Sequence, residues 1–116
     1  MRVAYSVQLT RRGPDLEPVI DDLTLDEWRS FANAEAALTS LGDALEAQLP
    51  NGRTMRMRDP NGFWALATPS GQLTLTYREG CVRADVRDQE SIPALAALAK
   101  RLGVRAVGQE GEEYTA

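Results

Sequence analysis

Few side chains in this sequence could carry catalytic chemistry, because its 116 residues include no histidine and a single cysteine, Cys81. The absence of histidine removes Ser-His-Asp and Cys-His nucleophilic sites, most zinc sites and the usual general base near neutral pH. What remains is carboxylate chemistry, recognition of acids by arginine, or a cysteine with no base to activate it. No pair of acids forms a recognisable catalytic motif. The sequence therefore predicts a protein without enzymatic activity, cofactor or bound metal ion.

Arginine side chains form the first candidate binding surface. Alternation along the predicted strands places Arg56, Arg58, Arg78 and Arg83 on one face of a sheet. On that face their guanidinium groups could converge on an acidic partner surface. The alternative is a solvated outer face whose charges keep the strand edges soluble. Asp85 alternates with these arginines and partly neutralises them, which favours the alternative.

Acidic side chains form a rival surface. Glu110, Glu112 and Glu113 lie near the end of the chain, and Asp26 and Glu27 lie at the start of the first predicted helix. Such acids can imitate the phosphates of a nucleic acid and so bind a basic surface of a partner protein, and opposite charges speed the association. For the helix pair the simpler explanation is favourable electrostatics at a helix N-terminus. The three C-terminal acids have no helix to cap and stay candidates for partner binding.

The first helix that must position these side chains has a clear start signal. Thr24 and Glu27 form a capping box, and Leu23 and Trp28 form a hydrophobic staple. Trp28 is therefore expected in the core. The helix is expected to end near Asn33, a residue that tolerates a left-handed cap.

Residues 34–49 allow two interpretations. Leucines at helical spacing, together with alanines and glutamates, favour a helix, but Gly42 and Asp43 interrupt it. Alternating apolar residues that run into a tight-turn signal at residues 50–52 favour a hairpin instead. We prefer the hairpin, with paired strands at residues 44–49 and 53–58.

Alternation of apolar and polar residues predicts further strands, joined by short turns into an antiparallel meander. These strands cover residues 2–10, 63–68, 72–78 and 81–87. Residues 59–62 are predicted to be a turn. Phe63 and Trp64 point to opposite faces of their strand, so one of the two is expected to be exposed and to serve as an interface anchor.

The last part of the chain predicts a second helix and a folded end. The helix is expected to begin with Ser91 as its cap and to end at Gly103. A short strand follows. Gly108 and Gly111 are expected to supply unusual backbone angles that fold the acidic end against the body, where Tyr114 anchors it.

Together these elements predict an α+β fold in one globular domain over residues 1–116. The fold is an antiparallel β-sheet of about five to seven strands with two α-helices packed on one face. That face of the sheet is apolar and covered, and the opposite face carries the arginines.

Composition limits the partners and the compartment. The net charge of −4 disfavours a general nucleic-acid binder, and no run approaches the ~20 apolar residues that span a membrane. The N-terminus lacks the apolar core of a signal peptide, and a single cysteine suits a reducing compartment. We therefore expect a cytoplasmic protein, monomeric or a small homo-oligomer, that binds neither nucleic acid nor membrane.

The C-terminal segment resembles a group of small stand-alone bacterial proteins that end in Leu-Gly-Ala-x-Val-x-Gly-acid-acid-Gly-Glu-x-Tyr. The residues in register with this pattern are Leu102, Gly103, Arg105, Gly108, Glu110, Gly111, Glu112 and Tyr114. Residues 25–28 and the aromatic strand at residues 62–66 fit the same group. The sequence departs from it at Gln109, where an acid is usual, and at Ala106, where a β-branched residue is.

Some proteins of that group look like immunity proteins paired with secreted toxins. The resemblance therefore implies a non-catalytic module that neutralises a cognate toxin by occluding it. The alternative is a secretion chaperone or adaptor that holds an effector protein. The residues predicted to bind the partner are Glu110, Glu112, Glu113, Arg78, Arg83, Arg56 and Arg58.

Overall fold

The structure is a computed structural model that describes residues 5–69, 71–86 and 88–115. Its strands are β1 (Tyr5–Thr10), β2 (Leu38–Gln48), β3 (Thr54–Thr68), β4 (Gly71–Arg78), β5 (Cys81–Val86), β6 (Arg105–Gly108) and β7 (Glu113–Tyr114). Its helices are α1 (Leu25–Ala34) and α2 (Ile92–Leu102), the second preceded by a 3-10 turn at Gln89–Ser91. The predicted α+β fold with an antiparallel sheet and two helices is confirmed. The predicted strand residues 2–4 and Arg87 lie outside the described residues.

Within the described residues the strands form one antiparallel sheet in the order β2-β3-β4-β5-β1-β6-β7. Strands β2 to β5 form the predicted meander, and β1 inserts between β5 and β6. The N-terminal strand therefore lies inside the sheet, while β2 and β7 are its edges. No helix in the described part of the chain is long and apolar enough to cross a membrane.

One apolar cluster joins both helices to a single face of the sheet. Trp28 of α1 is fully buried, and its ring meets that of Trp64 edge to face with centroids 5.4 Å apart. Leu95 and Leu98 of α2 are fully buried in the same cluster. These contacts confirm Trp28 as a core residue. We call the opposite side of the sheet, on which neither helix packs, the outer face.

The start of α1 follows the predicted capping box, and its end at Ala34 lies near the predicted Asn33 but lacks the predicted left-handed cap. The Thr24 hydroxyl accepts a hydrogen bond from the Glu27 backbone N–H at 3.1 Å, and the Glu27 carboxylate accepts one from the Thr24 N–H at 3.3 Å. At the other end, Glu35 caps the helix in an extended conformation. The predicted left-handed cap at Asn33 is therefore wrong, because Asn33 is still helical and a short turn over residues 35–38 leads from α1 into β2.

The second helix begins directly after Ser91, as predicted, but the Ser91 side chain does not cap it. Ser91 has helical backbone angles, and its side chain makes no hydrogen bond that caps α2. Instead, Asp88 caps the preceding 3-10 turn, accepting a hydrogen bond from the Ser91 N–H at 3.0 Å. Gly103 ends α2 as predicted, in the left-handed conformation at φ 83°.

Strands β2 and β3 form the hairpin that the sequence favoured over a helix, although β2 begins earlier, at Leu38. Residues 59–62 do not turn the chain out of its strand, as predicted, but form an irregularity inside the continuous strand β3. There Asp59 accepts a hydrogen bond from the Asn61 backbone at 2.9 Å, a turn-like contact within the strand. Strand β3 pairs with β4 only beyond this bulge. We call the two-stranded segment of residues 44–49 and 53–58 the arm.

Phe63 and Trp64 are both buried, with 6% and 5% of their surface exposed, so the prediction that one is exposed is wrong. Trp64 packs on the helix side of the sheet. Phe63 points to the outer face, where its cross-strand neighbours are Gly42 on β2 and Thr76 on β4. A strand inside the sheet is flanked on both sides, and these small neighbours leave room for the aromatic ring.

Candidate functional site

The outer face of the sheet contains an open cavity of about 840 Å³, which we call the groove. Strands β1, β4 and β5 form its floor, and the loop after β1 and the bulge in β3 flank it. The charged residues that line it are Arg12, Arg78, Glu79, Arg83 and Asp85. Two of the predicted partner-binding arginines, Arg78 and Arg83, therefore share one concavity.

Arg78 is held in the groove by a buried carboxylate. Its guanidinium donates a hydrogen bond to Asp59 at 3.2 Å. The Asp59 side chain is only 3% exposed, whereas that of Arg78 is 70% exposed. The bulge in β3 thus fixes one end of Arg78 and leaves most of its surface open to a partner.

Arg83 has a weaker attachment. Its Nε donates to Asp85 at 3.3 Å, and both side chains are more than half exposed. Asp85 also accepts a hydrogen bond from the Ser6 hydroxyl at 3.1 Å. An exposed ion pair contributes little to stability, so a carboxylate from outside can compete for Arg83 at small cost.

Arg12 lines one end of the groove, and the sequence reasoning did not single it out. It donates hydrogen bonds to Asp22 at 3.0 and 2.9 Å, to the Leu16 carbonyl at 3.2 Å and to the Glu79 carbonyl. The hydrogen bonds from Arg12 hold the pKa of Asp22 below its usual range. With so many of its donors engaged, Arg12 positions the loop after β1 and is not free for a ligand. The only sequence signal was a pair of arginines ten residues before a pair of aspartates.

The other two predicted arginines lie elsewhere. Arg56 and Arg58 are exposed on the arm, opposite Glu46 and Ala44, and do not line the groove. The predicted arginine surface is therefore divided into a groove pair and an arm pair.

The three C-terminal acids differ in their surroundings. The Tyr5 hydroxyl donates a hydrogen bond to Glu112, and the Glu110 backbone N–H donates to the same carboxylate at 3.3 Å. Glu113 forms an exposed ion pair with Arg105 at 3.5 Å. Among the described residues, only Glu110 of the three presents a carboxylate with no ion pair or hydrogen bond. The predicted acidic surface is thus smaller than its sequence suggests.

The acidic end folds back onto the sheet in a way that was only partly foreseen. Gly111 has the predicted positive φ, at 86°, but Gly108 does not. Gly108 is required for a different reason, because a side chain there would collide with Glu112 and Tyr5. Tyr114 is half-buried, and its hydroxyl donates to that of Tyr5 at 3.1 Å, which anchors the end as predicted. Burial and the nearby Glu112 and Glu110 charges raise the pKa of Tyr114.

Cys81 lies in the floor of the groove and is 7% exposed. The sequence favoured an ordinary strand cysteine at this position, and nothing near it is a histidine. Among the described residues, no three histidine, cysteine or acidic side chains are grouped so that they could hold a metal ion.

Comparisons of this chain with protein families, with curated proteins and with solved structures find no match. The resemblance noted for the C-terminal segment therefore depends on its motif residues alone.

Proposed function

We propose that this protein is a cytoplasmic, non-catalytic binding module that receives an acidic segment of a partner protein in the groove. The observation that carries the proposal is the arrangement of Arg78 and Arg83. Because Thr76 pairs with Arg83 and Arg78 pairs with Cys81, the two arginines are diagonal neighbours on the same face of β4 and β5. Such neighbours are roughly 7–8 Å apart, a spacing at which two long side chains can close on one carboxylate or on two adjacent ones.

The groups behind these arginines support a binding role. The buried Asp59 orients Arg78 before any partner arrives, so less conformational freedom is lost on binding. In the free protein the Asp85 carboxylate accepts a hydrogen bond from Nε of Arg83, and the other N–H groups of that guanidinium remain for a partner. A partner carboxylate would replace Asp85, which stays hydrated because it is exposed.

The nature of the partner is proposed from the resemblance of the C-terminal segment. That resemblance favours a cognate bacterial toxin, which the protein would neutralise by occlusion. In this proposal Glu110, the exposed member of the C-terminal acids, lies at a second contact.

Purification of the partner with the tagged protein, followed by titration of variants, tests the proposal. We expect Arg83→Glu and Arg78→Glu each to weaken partner binding at least about tenfold, which corresponds to about 1.4 kcal/mol. The matched control is Lys100→Glu, which reverses one charge at an exposed position on α2, away from the outer face. If Arg83→Glu and Arg78→Glu bind the partner as tightly as Lys100→Glu does, the groove is not the binding site.

Expression of the partner alone tests the immunity role separately. A partner that stops growth by itself, and is tolerated when this protein is co-expressed, supports a toxin. If the partner is harmless but its binding still requires Arg78 and Arg83, the groove remains the binding site and the immunity role is wrong.

A secretion chaperone or adaptor is the second candidate, and the long edge strand β2 favours it. Its 11 residues present one unpaired edge of the sheet, to which an extended effector segment could add as a strand. Binding that survives Arg83→Glu but is lost when proline replaces Gln48, an edge residue whose N–H faces away from β3, would select this candidate. The matched control is proline at the exposed Ile20, the second residue of a turn in the loop after β1, where proline is favoured.

A further inference from the structure

The arm is an unusual element because it extends beyond the rest of the sheet. Residues 54–58 of β3 pair only with β2, whereas residues 63–66 pair with both β2 and β4. A two-stranded hairpin is marginally stable in water unless its apolar face is covered. A surface packed against the arm would therefore stabilise it.

One face of the arm is apolar and exposed. Cross-strand pairing places Leu45 beside Met57 and Ala47 beside Met55, and Leu49 meets Arg53 where the turn closes. Met55, Met57 and Leu49 are 42%, 40% and 37% exposed. The other large apolar side chains exposed in the described residues, Val19 and Ile20, lie on the loop after β1.

The two ends of this face carry opposite charges. Asp43 precedes Leu45 by two residues, and Arg53 precedes Met55 by two, so alternation places both on the apolar face. Asp43 lies at the base of the arm and Arg53 at its tip, and both are exposed. A face with an apolar centre, an acid at one end and a base at the other is complementary to itself when turned end for end.

We propose that the arm docks against the arm of a second copy of this chain, apolar face to apolar face and antiparallel. A two-fold axis through the centre of the face would bring Asp43 of each copy to Arg53 of the other. The same packing would bury Met55, Met57 and Leu45 of both copies and supply each hairpin with its missing layer. This inference is independent of the proposed function, because the groove lies outside the arm.

The proposed contact is small. Five side chains from each copy place it below the ~1,200 Å² of a stable interface, so we expect a micromolar dimer in rapid exchange. Sedimentation equilibrium over concentrations from about 5 µM to 1 mM would show a monomer giving way to a dimer. A chain that stays monomeric throughout would overturn the proposal.

Charge reversal tests the antiparallel arrangement. Asp43→Arg and Arg53→Asp should each weaken association by at least about threefold, and the double variant should recover most of the loss, since both charges exchange sides. Arg56→Asp is the matched control, because it makes the same charge reversal on the other face of the arm, where Arg56 pairs with Glu46. A double variant that is no better than the two single variants would overturn the arrangement, as would equal losses in Arg56→Asp and Arg53→Asp.

Methionine oxidation identifies the occupant of the face. Peroxide should oxidise Met55 and Met57 more slowly in the purified protein as its concentration rises through the dimer range. If oxidation slows only when the partner of the groove is added, the arm has a foreign occupant and the proposal is wrong. Circular dichroism of each variant confirms that these exposed substitutions leave the fold intact.

Discussion

Arg11 donates two hydrogen bonds to the carboxylate of Glu27, at 3.0 and 2.7 Å, and so ties the end of β1 to the first turn of α1. Glu27 also accepts the capping hydrogen bond from Thr24. The bonds from Arg11, followed by the one from Thr24, lower the pKa of Glu27 from its usual 4.5 to about 2. One carboxylate thus completes a helix cap and fixes the helix to the sheet.

This low pKa makes stability depend on pH in the acid range. The unfolded chain takes up the Glu27 proton near pH 4.5 and the folded chain only near pH 2. The contribution of Glu27 is therefore fully present above pH 4.5 and is lost as the pH falls towards 2. We expect the urea midpoints of the wild type and Glu27→Gln to differ at pH 7 and to converge as the pH approaches 2. Glu17→Gln, which removes an exposed carboxylate, should parallel the wild type at every pH; a wild-type curve parallel to that of Glu27→Gln would contradict the assignment.

Asp59 is expected to matter for stability far more than the arginine it holds. Asp59→Ala removes a buried acceptor and leaves the Asn61 N–H without its partner, which should lower the free energy of unfolding by about 1–3 kcal/mol. Arg78→Ala should lower it by less than about 1 kcal/mol, because that side chain is 70% exposed. Chemical denaturation of both variants measures the difference. If Arg78→Ala proves as damaging as Asp59→Ala, then Arg78 is a structural residue and the groove proposal loses its main support.

Trp28 offers a test of the core. Its ring is fully buried against Trp64, and its indole N–H has no hydrogen-bond partner among the described residues. Trp28→Ala should cost about 3–5 kcal/mol because it opens a large cavity. Trp28→Phe should cost markedly less, since it fills part of the space and removes an unsatisfied donor. Fluorescence of the remaining Trp64 follows unfolding, and equal losses in the two variants would contradict this expectation.

Gly108 should tolerate no side chain while Glu112 occupies its present position. Gly108→Ala places a methyl group against the Glu112 carboxylate and the Tyr5 hydroxyl, which should cost about 1–3 kcal/mol. In a Glu112→Ala background the same substitution should cost less, because one of the two obstructing groups is gone. Thermal unfolding of the wild type, the two single variants and the double variant measures the coupling between Gly108 and Glu112. Strict additivity would mean that Glu112 is not what excludes a side chain at Gly108.

The parts of the fold that were predicted correctly are those whose geometry depends on only a few neighbouring residues. The capping box of Thr24 and Glu27 and the turn at residues 50–52 each lie within a short stretch, so their geometry is decided locally. Residues 59–62 show the limit of such signals. A turn and a bulge use the same residue types, and only pairing on both sides distinguishes them.

The candidate site was predicted less completely, because its geometry depends on distant partners. Alternation placed Arg78 and Arg83 on one face correctly, but it could not show that a buried Asp59 holds the first of them. The direction of Glu112 was equally hidden, since Tyr5 reaches it only after β1 has paired with β6. The partner of each of these charged side chains depends on how the sheet is assembled and not on any local sequence pattern.

The inserted position of β1 sets the order in which the molecule can fold. Strands β2 to β5 are neighbours in sequence, so their meander can form early by closing short loops. β1 must then find β5 and β6, which lie near the other end of the chain, so we expect this late search to be the slow step. We therefore expect folding on a scale of milliseconds to seconds, limited by capture of the N-terminal strand. Until that capture, β5 exposes a free edge, and the nascent protein is at its most vulnerable to aggregation.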